Sequence, residues 1–179
     1  MKEEIFLEVL KKLNGLNYLF FSGMAVSVYT EGKREAGDTD VIVHKKDINK
    51  FAKRMGTKVK KRFFDKGTFF GEDYGFVIDF KGQEVEATNG YPRERMAKGT
   101  FDKLFKRKVR KIFLGKEVFI EPIEELIVQK AFMHREKDLA DLKLLLNQKI
   151  DKDFVIELAE DWGKKQEILK VLKEIGYMV

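Results

Sequence analysis

Ile5, Phe6, Val9, Leu10 and Leu13 recur at helical spacing, which predicts an amphipathic helix over residues 2–13 that Asn14-Gly15 ends. The short apolar run Tyr18-Leu19-Phe20-Phe21, bounded by turn residues, reads as a buried strand, and Ser22-Gly23 then opens a small-residue helix from Met24 to about Thr30. Thr39 to Val43 is β-branched and apolar, a second strand, and Asp47 is placed to cap a short helix that runs to about Met55. From Thr57 to Thr88 the apolar positions come in short runs split by Gly67, Gly71, Gly75 and Gly82, the pattern of a strand meander with Gly82 in a hairpin turn. Phe113 to Ile120 reads as a hairpin around Gly115. Beyond it the period turns helical. Pro122 stands at a first helical position, with Glu124 and Glu125 in the favourable first turn. Further helices are expected near 137–147, 152–162 and 164–176, broken at Asn147 and Gly163. The expected fold class is α+β: a core over residues 1–120 and a helical region over 121–179 packed on it.

The 179 residues are 44% hydrophobic and 37% charged, a composition that excludes a disordered chain. The apolar run Tyr18 to Tyr29 holds 12 residues and is interrupted by Ser22, Gly23 and Ser27, whereas a spanning helix needs about 20. The start Met1-Lys2-Glu3-Glu4-Ile5 carries acids where a secretory leader needs basic residues and a long apolar run, so a cytoplasmic protein is expected. Zero cysteines exclude disulfides, thiolate nucleophiles and zinc–thiolate sites. With only His44 and His134 to supply imidazole, a metal here would be bound by oxygen, which selects Mg²⁺ or Mn²⁺.

Charge is unevenly shared. Residues 1–120 carry 26 basic against 17 acidic side chains, a surplus of nine, while residues 121–179 carry 10 against 13. Residues 101–111 alone hold six basic side chains and one acid. A basic front half is either a solvating surface or a field that attracts a polyanion.

The chemistry concentrates in Asp38-Thr39-Asp40-Val41-Ile42-Val43, which follows Phe21-Ser22-Gly23-Met24-Ala25 by 15 residues. Residues two apart on a strand share a face, so Asp38 and Asp40 converge, and two converging carboxylates repel unless a cation lies between them. Ser22-Gly23 at a strand-to-helix turn offers backbone N–H groups to an anion. Together they describe a site for a nucleoside triphosphate, ATP for instance, with Mg²⁺. Asp79, in the apolar run Phe76-Val77-Ile78-Asp79-Phe80, is either a further ligand or a strand-end acid that reaches water.

These motifs resemble those of the nucleotidyltransferase superfamily, the polymerase-beta-like fold. Phe21-Ser22-Gly23 is similar to the family's strand ending in two small residues, with Ser in place of the first Gly, and Asp38-Thr39-Asp40 is similar to its paired acids. Arg34 resembles the Arg that precedes those acids in many small members. The resemblance implies a third carboxylate on a later strand, for which Glu86 in Val85-Glu86-Ala87 and Asp79 are the candidates. Glu121 to Lys130, followed by Arg135-Glu136-Lys137-Asp138-Leu139-Ala140-Asp141-Leu142, resembles the helical part of the abortive-infection (AbiEii-type) toxin-like members.

Read alone, Lys130 on an apolar helix face either snorkels to the rim or binds phosphate; the resemblance implies the second. Asp138 and Asp141 share a helical face as solvated charges or, by the resemblance, as a base or orienter for the acceptor hydroxyl. Arg135 and Lys137 are surface charges or ligands of the triphosphate tail. The activity implied is metal-dependent transfer of a nucleoside monophosphate from an NTP to an acceptor, an RNA or tRNA end, a protein or a small-molecule hydroxyl, with pyrophosphate released. Asp38, Asp40 and Glu86 would hold Mg²⁺ or Mn²⁺, and Ser22, Gly23, Arg34, Lys130, Arg135 and Lys137 the nucleotide. Residues 103–111 would meet RNA, and an antitoxin or toxin partner is implied. The alternative is a non-catalytic nucleotide- or RNA-binding member of the same fold, antitoxin-like or a sensor.

Overall fold

The computed structural model describes residues 2–65, 70–90 and 100–177. In chain order the elements are α1 (Glu3–Leu13), β1 (Tyr18–Phe20), α2 (Ser22–Tyr29), β2 (Thr39–Val43), α3 (Ile48–Arg54), β3 (Lys60–Asp65), β4 (Phe70–Asp79) and β5 (Glu84–Thr88). They continue with α4 (Thr100–Arg107), β6 (Val109–Phe113), β7 (Lys116–Ile120), α5 (Ile123–Met133), α6 (Glu136–Leu145), α7 (Lys152–Asp161) and α8 (Lys165–Glu174). The α+β class is as the sequence predicts. Gly67 of the expected meander lies outside the described residues.

The strands form one mixed sheet in the order β3-β4-β5-β2-β1-β7-β6. Pairing is parallel between β2 and β5 and between β1 and β7, and antiparallel elsewhere. Phe20, Val41, Ala87 and Phe76 are successive register partners across the sheet and therefore share one face. Phe6 of α1 packs on Phe20 and Phe113, and Phe51 of α3 on Phe76, so α1 and α3 cover that face. On the other side α2 packs against β2 and also against α5 and α6. The C-terminal helices thus meet the sheet through α2. One continuous apolar core runs from Phe6 to Tyr177.

Two hairpins have the turn chemistry of the right-handed strand twist. In the β4–β5 turn Lys81 and Gly82 both take positive φ, and Phe80 and Gln83 exchange backbone hydrogen bonds. In the β6–β7 turn Leu114 and Gly115 do the same job with φ 50° and 68°.

Two boundaries and one capping bond differ from the sequence expectation. The helix after β1 starts at Ser22 rather than Met24, with Phe21 as the capping position. Asp47 does stand at the cap of α3, but its carboxylate accepts from the backbone N–H of Asn17 at 3.0 Å instead of from its own helix, because that loop passes beside it. Pro122 is the capping residue of α5, one place before the first helical position.

Candidate active site

Asp40, Glu86 and the Ser22-Gly23 turn stand at one end of the sheet. Asp40 on β2 is the register partner of Glu86 on β5, so both side chains leave the sheet on the same face. On β2's other flank the backbone N–H of Phe21 donates to the carbonyl of Asp40 at 3.2 Å, which places the start of α2 next to the same acid. Asp38 immediately precedes β2 and is partly exposed. Asp79, the other candidate third acid, is the last residue of β4, two places along the sheet from the row of Asp40 and Glu86. It pairs with Glu84 and accepts from the N–H of Gly82 at 2.7 Å, closing the hairpin. Its carboxylate is a turn-closing group.

Ser22 takes φ 53°, a left-handed conformation that costs a non-glycine residue about 1–2 kcal/mol. The surrounding structure holds it there. The Ser22 N–H donates to Glu121 Oε1 at 2.6 Å, and Glu121 itself is fully buried at the end of β7. The first N–H of the expected phosphate-binding turn is therefore engaged by a carboxylate of the chain. Next to it, a Cβ on Gly23 would come within 2.9 Å of Arg34 Nη1, so the glycine is what lets the guanidinium lie over the turn.

Arg34 also donates to the carbonyl of Gly23 at 3.4 Å and from Nε to Asp141 Oδ1 at 3.0 Å. Asp141 and Asp138 both accept from Lys130 Nζ, at 2.8 and 3.0 Å, and Lys130 is only 2% exposed. Arg135 closes the network, donating from Nε to Asp138 Oδ2 at 2.6 Å. Burial would raise the Asp138 carboxyl, but its bonds to Arg135 and Lys130 outweigh that and hold it below the ordinary carboxylate range. The Arg135 guanidinium is held above its ordinary value chiefly by the bond to Asp138, with Asp141 and Asp40 adding to it. That last influence places Arg135 within electrostatic reach of Asp40. Lys137 is exposed on α6.

The two readings of Lys130 at the sequence level were a snorkelling rim residue and a phosphate ligand, and the structure shows neither position. The ammonium is sealed between two aspartates because α6 folds back along α5 and brings Asp138 and Asp141 over it. Asp138 and Asp141 are correspondingly buried rather than solvated. Their charges meet Lys130, Arg34 and Arg135.

The donor chemistry at the sheet end fits a hard divalent cation: oxygen donors only, from Asp40 and Glu86 in register with Asp38 beside them. Among the described residues, however, no three acids or histidines are gathered closely enough to share an ion. Glu86 Oε1 instead takes Arg62 Nη2 at 3.1 Å.

No protein-family model matches the chain, and no curated protein matches it. Solved structures do. An antigenic nucleotidyltransferase-like protein from Paracoccidioides brasiliensis aligns over 97% of this chain and 87% of its own, with a TM-score of 0.59 at 14% identity. The antibiotic-resistance factor ANT(2'')-Ia aligns over 96% and 94%, with a TM-score of 0.55 at 11% identity, and a structure of it in complex with adenylyl-2''-tobramycin gives the same score. The fold is that of the nucleotidyltransferases. At such identities the similarity concerns the path of the backbone, and the abortive-infection-type likeness rests on the sequence motifs alone.

On this nucleotidyltransferase fold three polar residues next to the site escaped the sequence reading: Arg62, Asp73 and Glu121. Arg62 was one of several basic residues in a Lys-Lys-Arg run. Glu121 stood only as the first residue of a helical motif. Neither has a local pattern that marks it, since Arg62 meets Asp73 and Glu86 across the sheet and Glu121 meets the start of α2.

The basic stretch is divided between α4 and β6. Arg107 pairs with the buried Glu125 and lies over the Phe154 ring, Arg110 pairs with Glu117, and Lys108 donates to Asn17 Oδ1 at 2.7 Å with its ammonium 4.0 Å from the Phe119 ring centre. Lys103, Lys106 and Lys111 are exposed. His44 packs edge-on against Phe105 with ring centres 5.4 Å apart.

Proposed function

We propose that this chain transfers a nucleoside monophosphate from a nucleoside triphosphate to an acceptor hydroxyl or phosphate, releasing pyrophosphate. The observation that carries the reading is the register of Asp40 against Glu86 beside the Ser22-Gly23 turn. Asp38, Asp40 and Glu86 would hold Mg²⁺ or Mn²⁺, which supplies charge neutralisation on the triphosphate when bound. The chain's own groups do the positioning. Arg34, tied to Asp141, lies over the turn and presents positive charge to a phosphate there, and Arg135 does the same from the side of Asp40. The Lys130–Asp138–Asp141 cluster fixes both arginines and lies too deep to meet the nucleotide itself. Lys137, exposed on α6, is free to reach the outer phosphates.

The acceptor is inferred from charge. The surplus of nine positive charges over residues 1–120, with Lys103, Lys106 and Lys111 exposed, favours a polyanionic acceptor such as an RNA or tRNA end over a polycationic one such as tobramycin. The toxin-like motifs add a protein partner to this reading.

A second reading is a nucleotide- or RNA-binding protein without catalysis. Glu121 favours it, because its carboxylate sits on the N–H of Ser22 that an incoming phosphate would use. Incubation with labelled nucleoside triphosphates, Mg²⁺ and total RNA separates the two. We expect label on RNA with the wild-type chain, and a loss of at least about 100-fold with Asp40→Asn, the scale on which one electrostatic group at a reacting centre acts. Nucleotide binding without label transfer supports the second reading.

A further inference from the structure

The sheet face that carries Asp40 and Glu86 carries a second polar cluster. Thr88 and Glu86 on β5, Asp73 on β4 and Arg62 on β3 lie on that same face, as the register Thr88–Gly75 and Asp73–Arg62 requires. Arg62 forks onto Asp73, from Nε to Oδ1 at 2.8 Å and from Nη2 to Oδ2 at 2.6 Å. Asp73 is 6% exposed and also accepts the Thr88 hydroxyl. The hydroxyl in turn takes the N–H of Gly90 at 2.9 Å. With two parallel bonds to a buried carboxylate, the guanidinium has one available placement, and from it Nη2 reaches Glu86 Oε1 at 3.1 Å. At Gly75, between these residues, a Cβ would collide with the Ala87 carbonyl oxygen at 2.1 Å, so β4 and β5 are drawn together at the point where the network crosses them.

Arginine cannot give up its proton in a protein. Moving it away would strand Asp73, a buried carboxylate, without its bidentate partner, which is strongly unfavourable. Arg62 is thus a permanent positive charge in contact with one of the three acids assigned to the metal. We propose that Arg62, locked by Asp73 and Thr88, is a positioning residue that serves as a built-in counter-cation for Glu86. The free chain then binds divalent metal weakly, and the ion is held well only when the triphosphate adds its own negative charge. The proposal rests on the reading in which Asp38, Asp40 and Glu86 are the metal-holding acids.

Mn²⁺ binding to the full chain without nucleotide, followed by electron paramagnetic resonance, tests it. A unit positive charge a few ångströms from a divalent ion weakens binding about tenfold even in a water-like dielectric. Arg62→Gln should therefore bind Mn²⁺ about tenfold tighter than wild type, and Arg62→Lys, which keeps the charge, should stay within about threefold of it. If Arg62→Gln fails to fold because Asp73 is left alone, Arg62→Gln/Asp73→Asn, which removes one charge of each sign, is compared with Asp73→Asn and should bind Mn²⁺ about tenfold tighter than that single variant. Unchanged Mn²⁺ affinity in the variants lacking Arg62, with Glu86→Gln still weakening it, overturns the counter-cation role and leaves the metal site standing. Mn²⁺ binding that ignores Asp40→Asn and Glu86→Gln alike removes the metal site itself and the proposal with it.

Discussion

Lys130 has exchanged water for two aspartates. Taking an ammonium out of solvent is repaid only when opposite charges and hydrogen bonds surround it, and Asp138 and Asp141 supply both at 3.0 and 2.8 Å. Removing the cation leaves two buried carboxylates with less compensation. Lys130→Met should cost about 3–5 kcal/mol in urea unfolding. A cost below about 1 kcal/mol means that the aspartates find other partners. Asp138 gives a second prediction. Its folded value lies below the 3.8 of a free aspartyl group, so the stability it contributes is fully present above that pH. It is lost as pH falls from there through the folded value. The stability of the wild-type chain should fall steeply below pH 3.8, and Asp138→Asn should flatten that fall. Identical acid-unfolding profiles would contradict the ion-pair account.

Among the elements, the β6–β7 hairpin shows how turn chemistry and sequence can disagree locally. A two-residue turn of this hand requires positive φ at both central positions. Gly115 takes it at no cost, but Leu114 takes φ 50° while its side chain is 39% exposed. The pairing of Phe113 with Lys116 and of Val109 with Ile120 imposes the conformation on a residue that disfavours it. Asparagine tolerates it better. Leu114→Asn should raise stability by about 0.5 kcal/mol or more, read as a higher denaturant midpoint at unchanged slope; a lower midpoint means that the leucine's packing outweighs its strain. The helix α4 and strand β6 make a related point. The run of basic residues from Lys103 to Lys111 looks like one patch in the sequence, yet a change of element at Lys108 turns Arg107 toward Glu125, Lys108 toward Asn17 and Arg110 toward Glu117.

At the scale of the whole molecule, α5 carries the connection between the sheet and the C-terminal helices. It is buried along nearly its full length, including Glu125, Gln129 and Lys130, because α2, α6, α7 and α8 all pack on it. Trp162, just after α7, is fully buried and meets Phe132 of α5 edge-on with ring centres 5.3 Å apart. A shared core of this kind unfolds as a unit. Trp162 is the single tryptophan, so its fluorescence reports the helical end while far-ultraviolet circular dichroism reports the whole. The two thermal transitions should coincide; an earlier transition at Trp162 would show that the helical end melts by itself. Where these helices pack also determines the site, since α6 brings Asp141 to Arg34 and Asp138 to Lys130.

What the amino-acid order determined alone was whatever depends on neighbours in the chain. The period of Ile5, Phe6, Val9 and Leu13 makes α1, the β-branched run Thr39–Val43 makes β2, and glycine at 82 and 115 makes the two turns. The conjunction of Ser22-Gly23 with Asp38-Thr39-Asp40 is equally local, and it was enough to point to the fold. What only the tertiary structure decided was which distant charges meet. Glu86 stands beside Asp40 because β5 lies parallel to β2, Asp79 closes a turn because its strand ends there, Glu121 reaches Ser22 because β7 runs beside β1, and Arg62 reaches Glu86 across β4. Charged side chains carry no periodic signal for such meetings. Their partners are chosen by sheet order and helix packing, and those follow from the burial of apolar surface over the whole chain rather than from any one stretch of it.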